Sequence, residues 1–431
     1  MQPFRGRFRL SETGAARSQQ EQECTIELND DGLTVTPPAG AALPVAFAEI
    51  STWEAQDYVI GFDLAEGRQL EIFYLAKRYE ELCSAFREMR RDHFLKALLF
   101  EERGDGAIEA GVVRRCGVQG EVELEGPGHV RLQRTSVVVI PDQARPFLVP
   151  YGEVESIDFD PEAYVLRLGQ GVYGTLELAR FGKRTDALRR GLQERVDALS
   201  ARTARTLALV APDLSPSVLR QVGGVMRDGV AASREELERA APGFWAALWQ
   251  VGFLPARRPF VEALAVRADA QLVAIKETAP ETEESAPTEE HAPATKADVE
   301  DLKAEPEIPT LWTTRQLLYF FVVGNAVVLE VPTQEDSATY VYASGGKPER
   351  RVRELCRSLS MVQFRREPVF LDEAALNSPK GLRYREAMRT LEDLRQVRAA
   401  FAGRAIHSSL AAWERDLSTA CAACAAISLA R

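Results

Sequence analysis

The feature that most constrains this chain is an internal repeat. The stretch Val45-x-Phe47-x-Glu49-Ile50-x-x-Trp53 matches Val149-x-Tyr151-x-Glu153-Val154-x-x-Ile157 at a spacing of 104 residues. Tyr58 then matches Tyr164, and Lys77-Arg78 matches Lys183-Arg184, at a spacing of 106 residues. A period near 100 residues is too long for a solenoid and indicates two copies of one whole domain.

Each copy has the pattern of several short strands followed by one amphipathic helix. In the first copy, the turn signal at residues 29–32 separates two strands, and residues 45–53 read as one strand. Apolar residues then recur at three- and four-residue steps over 79–94, which predicts a helix. In the second copy, residues 147–158 carry the matched stretch and a helix follows. We therefore predict an α+β fold with antiparallel strands.

A strand-rich barrel that ends in one long helix resembles the pleckstrin-homology-like (PH-like) superfold. The resemblance covers about residues 24–100 and 118–202 of the 431. It implies tandem PH-like antiparallel β-barrels, each closed by a C-terminal helix, followed by a helical C-terminal region. Paired domains of this kind also resemble, in fold alone, the modules of eukaryotic histone chaperones, but a shared fold does not transfer function.

The composition along the chain divides it into six segments. An acidic stretch with eleven Asp/Glu and two Lys has almost no large apolar residues, so we predict that it is disordered. Before it we expect a strand pair around Asp269, and near the C-terminus a helical hairpin that turns at Gly403. The segments are 1–112 and 113–205 (PH-like domains), 206–276 (mixed, mainly helical connector), 277–309 (acidic disordered linker), 310–370 (candidate degenerate third PH-like unit) and 371–431 (helical hairpin).

Charge and cysteine usage limit the class of protein. The net charge is −11, and because most of it lies in the acidic linker the rest of the chain is close to neutral, so overall acidity does not exclude nucleic acid. Six scattered cysteines do not suggest a disulfide framework. The most apolar run, 317–329, is too short to span a bilayer and reads as two strands joined at Gly324-Asn325. We expect a cytoplasmic protein without a transmembrane segment.

The motifs that could carry catalysis lack their usual context. The glycine pattern Gly169-x-Gly171-x-x-Gly174 is followed by a strand, whereas a dinucleotide site requires a helix there, so we interpret it as a hairpin turn. Cys421-x-x-Cys424 has no second ligand pair and reads as packing on a helix. The four histidines form no known catalytic pattern. We therefore predict no enzymatic activity, no metal and no cofactor.

Basic and aromatic side chains are the remaining candidates for binding. Basic pairs where a strand becomes a helix could hold a phosphate with free backbone N–H groups, although interleaved acidic residues favour a solvated helix face. The aromatic cluster after residue 243 would either dock a partner or, as helical spacing favours, pack inside the protein. The candidate binding residues are Lys77, Arg78, Lys183, Arg184, Arg189, Arg190, Trp245 and Trp249.

The sequence leads to one functional hypothesis and two alternatives. The leading hypothesis is a non-enzymatic, multi-domain binding or scaffold protein that acts through a protein partner of unspecified identity. The first alternative is a nucleic-acid-associated or chaperone-like protein that uses the basic helix face or the acidic linker. The second is an enzyme whose site is assembled between domains. The sequence specifies neither the partner nor the oligomeric state.

Overall fold

The computed structural model has a mixed α+β fold with antiparallel sheets and C-terminal helices, which confirms the predicted class. Two compact units are formed, one by residues 1–197 and 365–399 and the other by residues 198–364 and 400–431. The structure describes residues 2–12, 21–97, 108–253, 256–277, 315–331, 338–345, 347–361, 369, 371–376, 384, 387–388 and 391–429.

The first unit contains two seven-stranded antiparallel sheets with the same topology. The strands of the first sheet are β1 (Phe4–Glu12), β2 (Gln22–Asn29), β3 (Gly32–Thr36), β4 (Leu43–Ala46), β5 (Ile50–Gln56), β6 (Val59–Leu64) and β7 (Arg68–Phe73). Those of the second are β8 (Glu109–Cys116), β9 (Val122–Leu132), β10 (Ser136–Pro141), β11 (Phe147–Pro150), β12 (Ser156–Asp160), β13 (Val165–Gly169) and β14 (Thr175–Ala179). The orders are β4-β3-β2-β1-β7-β6-β5 and β11-β10-β9-β8-β14-β13-β12.

A long helix follows each of these sheets, α1 (Tyr79–Ala97) and α2 (Thr185–Val210). Phe86 of α1 is buried, and its ring centroid lies 5.5 Å from that of Phe47, 4.9 Å from that of Trp53 and 5.1 Å from that of Phe62. In the second copy, a Cβ at Gly191 of α2 would lie 3.0 Å from a methyl carbon of Leu132. Each helix therefore packs closely against the sheet that precedes it.

The predicted continuous strand over 45–53 is wrong, because a 3-10 turn at Phe47–Glu49 divides it. The Phe47 side chain is fully buried, and its N–H donates to the carbonyl of Asp31 at 2.9 Å. The second copy has the same interruption at Tyr151–Glu153. A strand-like pattern of apolar residues cannot distinguish a straight strand from one that turns between two edges of a sheet.

The two copies also share residues in the left-handed backbone region. Tyr58 and Tyr164 have φ of 62° and 56°, and Tyr74 and Arg180 both have φ of 59°. Ala76 has φ of 52°, and the residue at the same spacing of 106 is Gly182 with φ of 57°. Side chains other than that of glycine disfavour this region, so the fold imposes the same local strain at equivalent positions of both copies.

The pair Ala76 and Gly182 provides a matched test of this strain. We expect Gly182→Ala to lower the free energy of unfolding by about 1 kcal/mol, and Ala76→Gly to raise it by a similar or smaller amount. A Cβ at Gly182 would meet no atom within 4 Å, so backbone conformation alone is tested. Denaturant titration measures both changes, and a shift in the same direction for both variants would contradict the argument.

The second unit has a six-stranded antiparallel sheet whose strands follow chain order, β15-β16-β17-β18-β19-β20, so its topology is not that of the first two sheets. The strands are β15 (Ala232–Ser233), β16 (Ala270–Glu277), β17 (Arg315–Val323), β18 (Ala326–Glu330), β19 (Ala338–Ala343) and β20 (Phe401–Ile406). Among the described residues, the further helices in chain order are α3 (Pro216–Val225), α4 (Arg234–Ala240), α5 (Phe244–Gly252), α6 (Arg258–Arg267), α7 (Pro348–Met361), α8 (Glu373–Leu376), α9 (Glu392–Ala400) and α10 (Leu410–Leu429).

Three local predictions in this region need correction. In place of the strand pair expected around Asp269, the structure has α6 followed by β16. Buried Phe260, Val261 and Leu264 share one face of α6, and β16 pairs with β17. The hairpin turn expected at Gly403 is instead inside β20, which pairs with β19. These strand pairings join residues that are distant in the sequence, and the local spacing of apolar residues does not predict such pairings.

The acidic linker requires a third correction at its first residue. Glu277 is the last residue of β16 and is buried, so it belongs to the sheet. The rest of the predicted disordered linker, 278–309, lies outside the described residues. The strands predicted on either side of Gly324-Asn325 are confirmed as β17 and β18. None of the described helices is both long and apolar enough to cross a membrane.

Candidate functional site

The arginines of the two basic pairs are held by contacts within the protein. Arg78 forms two hydrogen bonds with the carboxylate of Glu81, at 2.9 and 2.8 Å, and donates to the Pro3 carbonyl at 2.8 Å. Its guanidinium also lies 4.0 Å from the centre of the Phe4 ring. Arg184 donates to Glu109 at 2.6 Å. Hydrogen bonds to these carboxylates raise the pKa of both arginines. Each arginine thus attaches the start of a helix to the first strand of its own sheet.

The lysines of the same pairs, Lys77 and Lys183, are exposed. Arg189 and Arg190 of α2 are exposed as well, and the Arg189 guanidinium lies 5.1 Å from the centre of the Phe159 ring. The structure therefore leaves positive charge at the surface where each helix begins. The arginines of both basic pairs are already bonded to carboxylates, so they are less available to hold a phosphate than the lysines.

The two candidate tryptophans belong to an aromatic cluster in the second unit. Trp245 is buried, and its ring centroid lies 6.1 Å from that of Tyr319. Trp249 contacts Phe253 with a centroid distance of 5.2 Å. The Tyr319 hydroxyl donates to the Leu248 carbonyl at 2.8 Å, and burial raises the pKa of this phenol. These contacts support the interpretation that helical aromatic spacing marks packing residues.

An exposed tyrosine stands beside the start of the helix in the first copy. Tyr58 is 72% exposed, yet its ring packs on that of Tyr79, the first residue of α1, at a centroid distance of 5.3 Å. The neighbouring Tyr74 is 69% exposed. Tyr58, Tyr74 and Lys77 lie at the surface where the last strand leads into α1, and we call these three residues the first tyrosine surface.

The second copy has an exposed tyrosine at the matching position and a lysine that matches Lys77. Tyr164 is 45% exposed and packs on Phe159 at a centroid distance of 5.4 Å, and Phe159 in turn contacts Arg189 of α2. We call Tyr164, Phe159, Lys183 and Arg189 the second tyrosine surface. Sequence comparison of the copies matched Tyr58 with Tyr164, but only the structure shows that both are exposed and strained.

The glycine and cysteine motifs have structural roles. The segment 169–174 connects β13 to β14 through a 3-10 turn, which confirms the predicted hairpin. Cys424 is fully buried on α10, and burial raises its pKa to about 11. Cys24 in β2 is buried too, and the same effect raises its pKa to about 11. Within the described residues, no group of three or more His, Cys, Asp or Glu side chains could hold a metal ion.

The buried thiols predict a loss of stability at alkaline pH. The pKa of each thiol in the folded protein is raised from its ordinary value of 9.0 to about 11, so the contribution to stability is complete below pH 9 and is lost as the pH rises through about 11. We expect Cys24→Ala to reduce the fall in unfolding midpoint of the first unit over this range. Denaturant titration at several pH values measures this, and an unchanged fall in the variant would refute the assignment to Cys24.

A buried ion cluster in the second unit was not found by sequence reasoning. Asp228 lies before β16, and its carboxylate accepts from Lys276 Nζ at 2.8 Å and from the Glu277 backbone N–H at 2.6 Å. Arg315 donates to Glu277 at 2.8 Å and lies 3.5 Å from Asp228. Arg202 adds a bond of 2.7 Å to Glu277. The cluster joins the ends of β16 and β17 in the interior.

A second buried polar cluster surrounds Thr339 at the start of β19. The Thr339 hydroxyl donates to Glu330 at 2.7 Å and accepts from the Trp413 indole N–H at 2.8 Å. His407 Nε2 lies 3.1 Å from the same hydroxyl and 3.3 Å from Glu330. The Glu330 carboxylate and the Thr339 hydroxyl both approach Nε2 of His407. In a nucleophile–base–acid triad the histidine instead uses both of its ring nitrogens. The cluster instead attaches α10 to the sheet.

A third cluster lies between the two copies inside the first unit. The Arg90 side chain of α1 is buried and donates to the carbonyls of Pro141 and Asp142 at 3.3 Å each and of Ala144 at 2.7 Å. Trp53 donates its indole N–H to the Asp142 carbonyl as well. We call the loop 142–145 with these two side chains the repeat joint. The sequence does not indicate that Arg90 is buried, because an arginine in an amphipathic helix is expected on the exposed face.

Comparison with known proteins does not add to this description. No protein-family model matches the chain, and no curated protein matches it at a significant level.

Proposed function

We propose that the protein is a non-enzymatic, multi-domain binding protein in which two PH-like domains present equivalent tyrosine surfaces to a protein partner. The observation that carries this proposal is the pair Tyr58 and Tyr164. Both side chains are bulky and exposed, and both residues have a backbone φ in the left-handed region. Glycine would adopt the same backbone conformation without strain. Strained residues that persist at equivalent surface positions are a reason to suspect function.

The topology of the first unit supports the PH-like assignment. Seven antiparallel strands in the order 4-3-2-1-7-6-5, followed by a helix, occur twice in succession. The contacts of Phe86 with Phe47, Trp53 and Phe62 support a role for α1 in covering apolar surface of its sheet. This arrangement is what a barrel closed by a C-terminal helix requires.

The chemistry of the tyrosine surfaces supports contact with a protein. Tyrosine supplies a large contact area with little loss of side-chain entropy, and it is enriched at protein interfaces. Each surface also carries an exposed lysine, Lys77 or Lys183, at its margin. Two equivalent surfaces on one chain would let a partner with two acceptor sites bind more tightly than either contact alone.

Affinity capture from the native cell tests the proposal. We expect a partner that is retained by the wild-type chain, retained less by Tyr58→Ala or Tyr164→Ala, and lost with both changes. Alanine leaves the backbone strain in place and removes only the ring. Val172→Ala is the matched control, because Val172 is 68% exposed at the opposite end of β13. Equal capture by the wild type and the double variant would reject these surfaces as the contact.

A nucleic-acid-associated function is the second candidate, and the exposure of Arg189 and Arg190 favours it. Neither forms an ion pair with a residue that the structure describes. Reversing both charges should abolish a salt-dependent gel shift if this surface binds nucleic acid. The tyrosine variants should leave such a shift unchanged, which separates the two functions.

A further inference from the structure

The second tyrosine surface contains a row of three stacked side chains. The ring centroids of Tyr164 and Phe159 lie 5.4 Å apart with an angle of 77° between the rings. The Arg189 guanidinium lies 5.1 Å from the centre of the same Phe159 ring. Phe159 belongs to β12 and Arg189 to α2, so a strand and a helix each supply one side of the contact. A guanidinium held on an aromatic ring loses little further freedom when it binds an anion.

The charge of Arg189 is not neutralised by an ion pair within the part of the chain that the structure describes. The carboxylate that follows Phe159 in the chain, that of Asp160, lies 3.3 Å from Arg167 and accepts two backbone N–H groups of the next turn at 3.0 Å each. Asp186, one turn earlier on α2, is exposed and forms no ion pair with Arg189. Arg189 therefore keeps the N–H donors in its plane for a ligand.

The first tyrosine surface provides a contrast. There the Arg7 guanidinium lies 5.2 Å from the centre of the Tyr74 ring, but it is also 3.9 Å from both Glu21 and Glu23. Both copies thus place an arginine over an aromatic ring. In the first copy neighbouring carboxylates compensate the charge, and in the second copy no described carboxylate does so.

Further positive charge lies next to the stacked row in the chain. The segment 183–190 holds four basic residues and one acidic residue, and Glu109 neutralises Arg184, so two positive charges remain. One of the basic residues, Lys183, is exposed in the 3-10 turn that leads into α2. The second tyrosine surface is therefore a short positive surface with an exposed tyrosine, and its ligand should be negatively charged.

We propose that the second tyrosine surface binds an acidic peptide segment of the partner, with Arg189 holding a carboxylate of that segment and Tyr164 packing beside it. A guanidinium presents donors in a plane that matches both oxygens of a carboxylate. Nucleic acid fits less well, because its binding depends on many phosphate contacts or on free aromatic faces, and the Phe159 ring already contacts Tyr164 and Arg189. This inference rests on the proposed function, since it specifies the chemistry of the partner.

The test is a titration of the full chain into a fluorescently labelled decaglutamate peptide at low salt, followed by anisotropy. We expect saturable binding that Arg189→Gln weakens by about five-fold, the upper range for an exposed ion pair. Phe159→Leu keeps the charge but frees the guanidinium, so we expect a smaller loss of about two-fold. Arg190→Gln is the matched control, because Arg190 is equally exposed but has no aromatic contact among the described residues. It should change the affinity by less than Arg189→Gln does.

Three outcomes would overturn the acidic ligand. They are no saturable binding of decaglutamate, equal weakening by Arg189→Gln and Arg190→Gln, or tighter binding of a thymidine decanucleotide with the same dependence on Arg189. Partner capture distinguishes this failure from failure of the proposed function. A partner lost by Tyr164→Ala but fully kept by Arg189→Gln would retain the tyrosine contact and reject the acidic ligand. Decaglutamate binding that depends on Arg189, with capture unaffected by the tyrosine changes, would do the reverse.

Discussion

Replacing Asp228 with alanine is expected to lower the free energy of unfolding of the second unit by about 3–5 kcal/mol. The Asp228 side chain is fully buried, and it is the acceptor for Lys276 and a neighbour of Arg315 at 3.5 Å. Without it, the Lys276 ammonium is left in the interior with no carboxylate in contact among the described residues. An unpaired buried cation costs far more than the mutual attraction of a surface pair.

Hydrogen exchange of the β16 and β17 amides measures this loss locally, because these strands carry Lys276, Glu277 and Arg315. Arg353→Ala is the control. Arg353 lies 3.7 Å from Glu236 and is 45% exposed, so its loss should cost less than about 1 kcal/mol. If the two variants were equally stable, the ion cluster would not hold the ends of these strands.

Replacing Arg90 with methionine is expected to destabilise the first unit by about 2–4 kcal/mol. Methionine keeps the apolar stem, but the carbonyls of Pro141 and Ala144 lose the guanidinium that donates to them. The Asp142 carbonyl keeps the Trp53 indole as donor. Burial lowers the pKa of Arg90 to about 10, so relief of its desolvation offsets part of the loss.

Arg87→Met, one turn away on the same helix, is the matched control for Arg90. Arg87 is 41% exposed and lies 3.7 Å from Asp142, so its removal should cost less than about 1 kcal/mol. Denaturant titration followed by tryptophan fluorescence reports both variants, since Trp53 bonds directly to the loop. An equal loss in both variants would show that the carbonyl contacts of Arg90 are not what stabilises the joint.

The two clusters tested by these variants lie where segments distant in the sequence meet. Asp228 and Lys276 are 48 residues apart, and Arg90 and Pro141 are 51 residues apart. Buried charges at such places stabilise a unit less than apolar packing of the same volume would, but breaking one is strongly destabilising. They therefore make the arrangement of these segments specific.

The sequence alone determined the duplication and the α+β class. The apolar positions of each copy recur at a fixed spacing, and strand and helix patterns are local, so they can be read without knowing which strands pair. The glycine turn at 169–174 and the buried position of Cys424 were predicted for the same reason: both depend on neighbours along the chain.

Only the tertiary structure decided which polar residues are interior and which are exposed. The sequence does not indicate that Arg90 and Asp228 are buried, it places Glu277 in the acidic linker, and it matches Tyr58 with Tyr164 without showing that both are exposed. Burial of a charge depends on a partner supplied by another segment, and exposure of an aromatic ring depends on where a turn lies. The repeat in the sequence thus defined the two copies, and contacts between distant segments defined the repeat joint and the buried ion cluster.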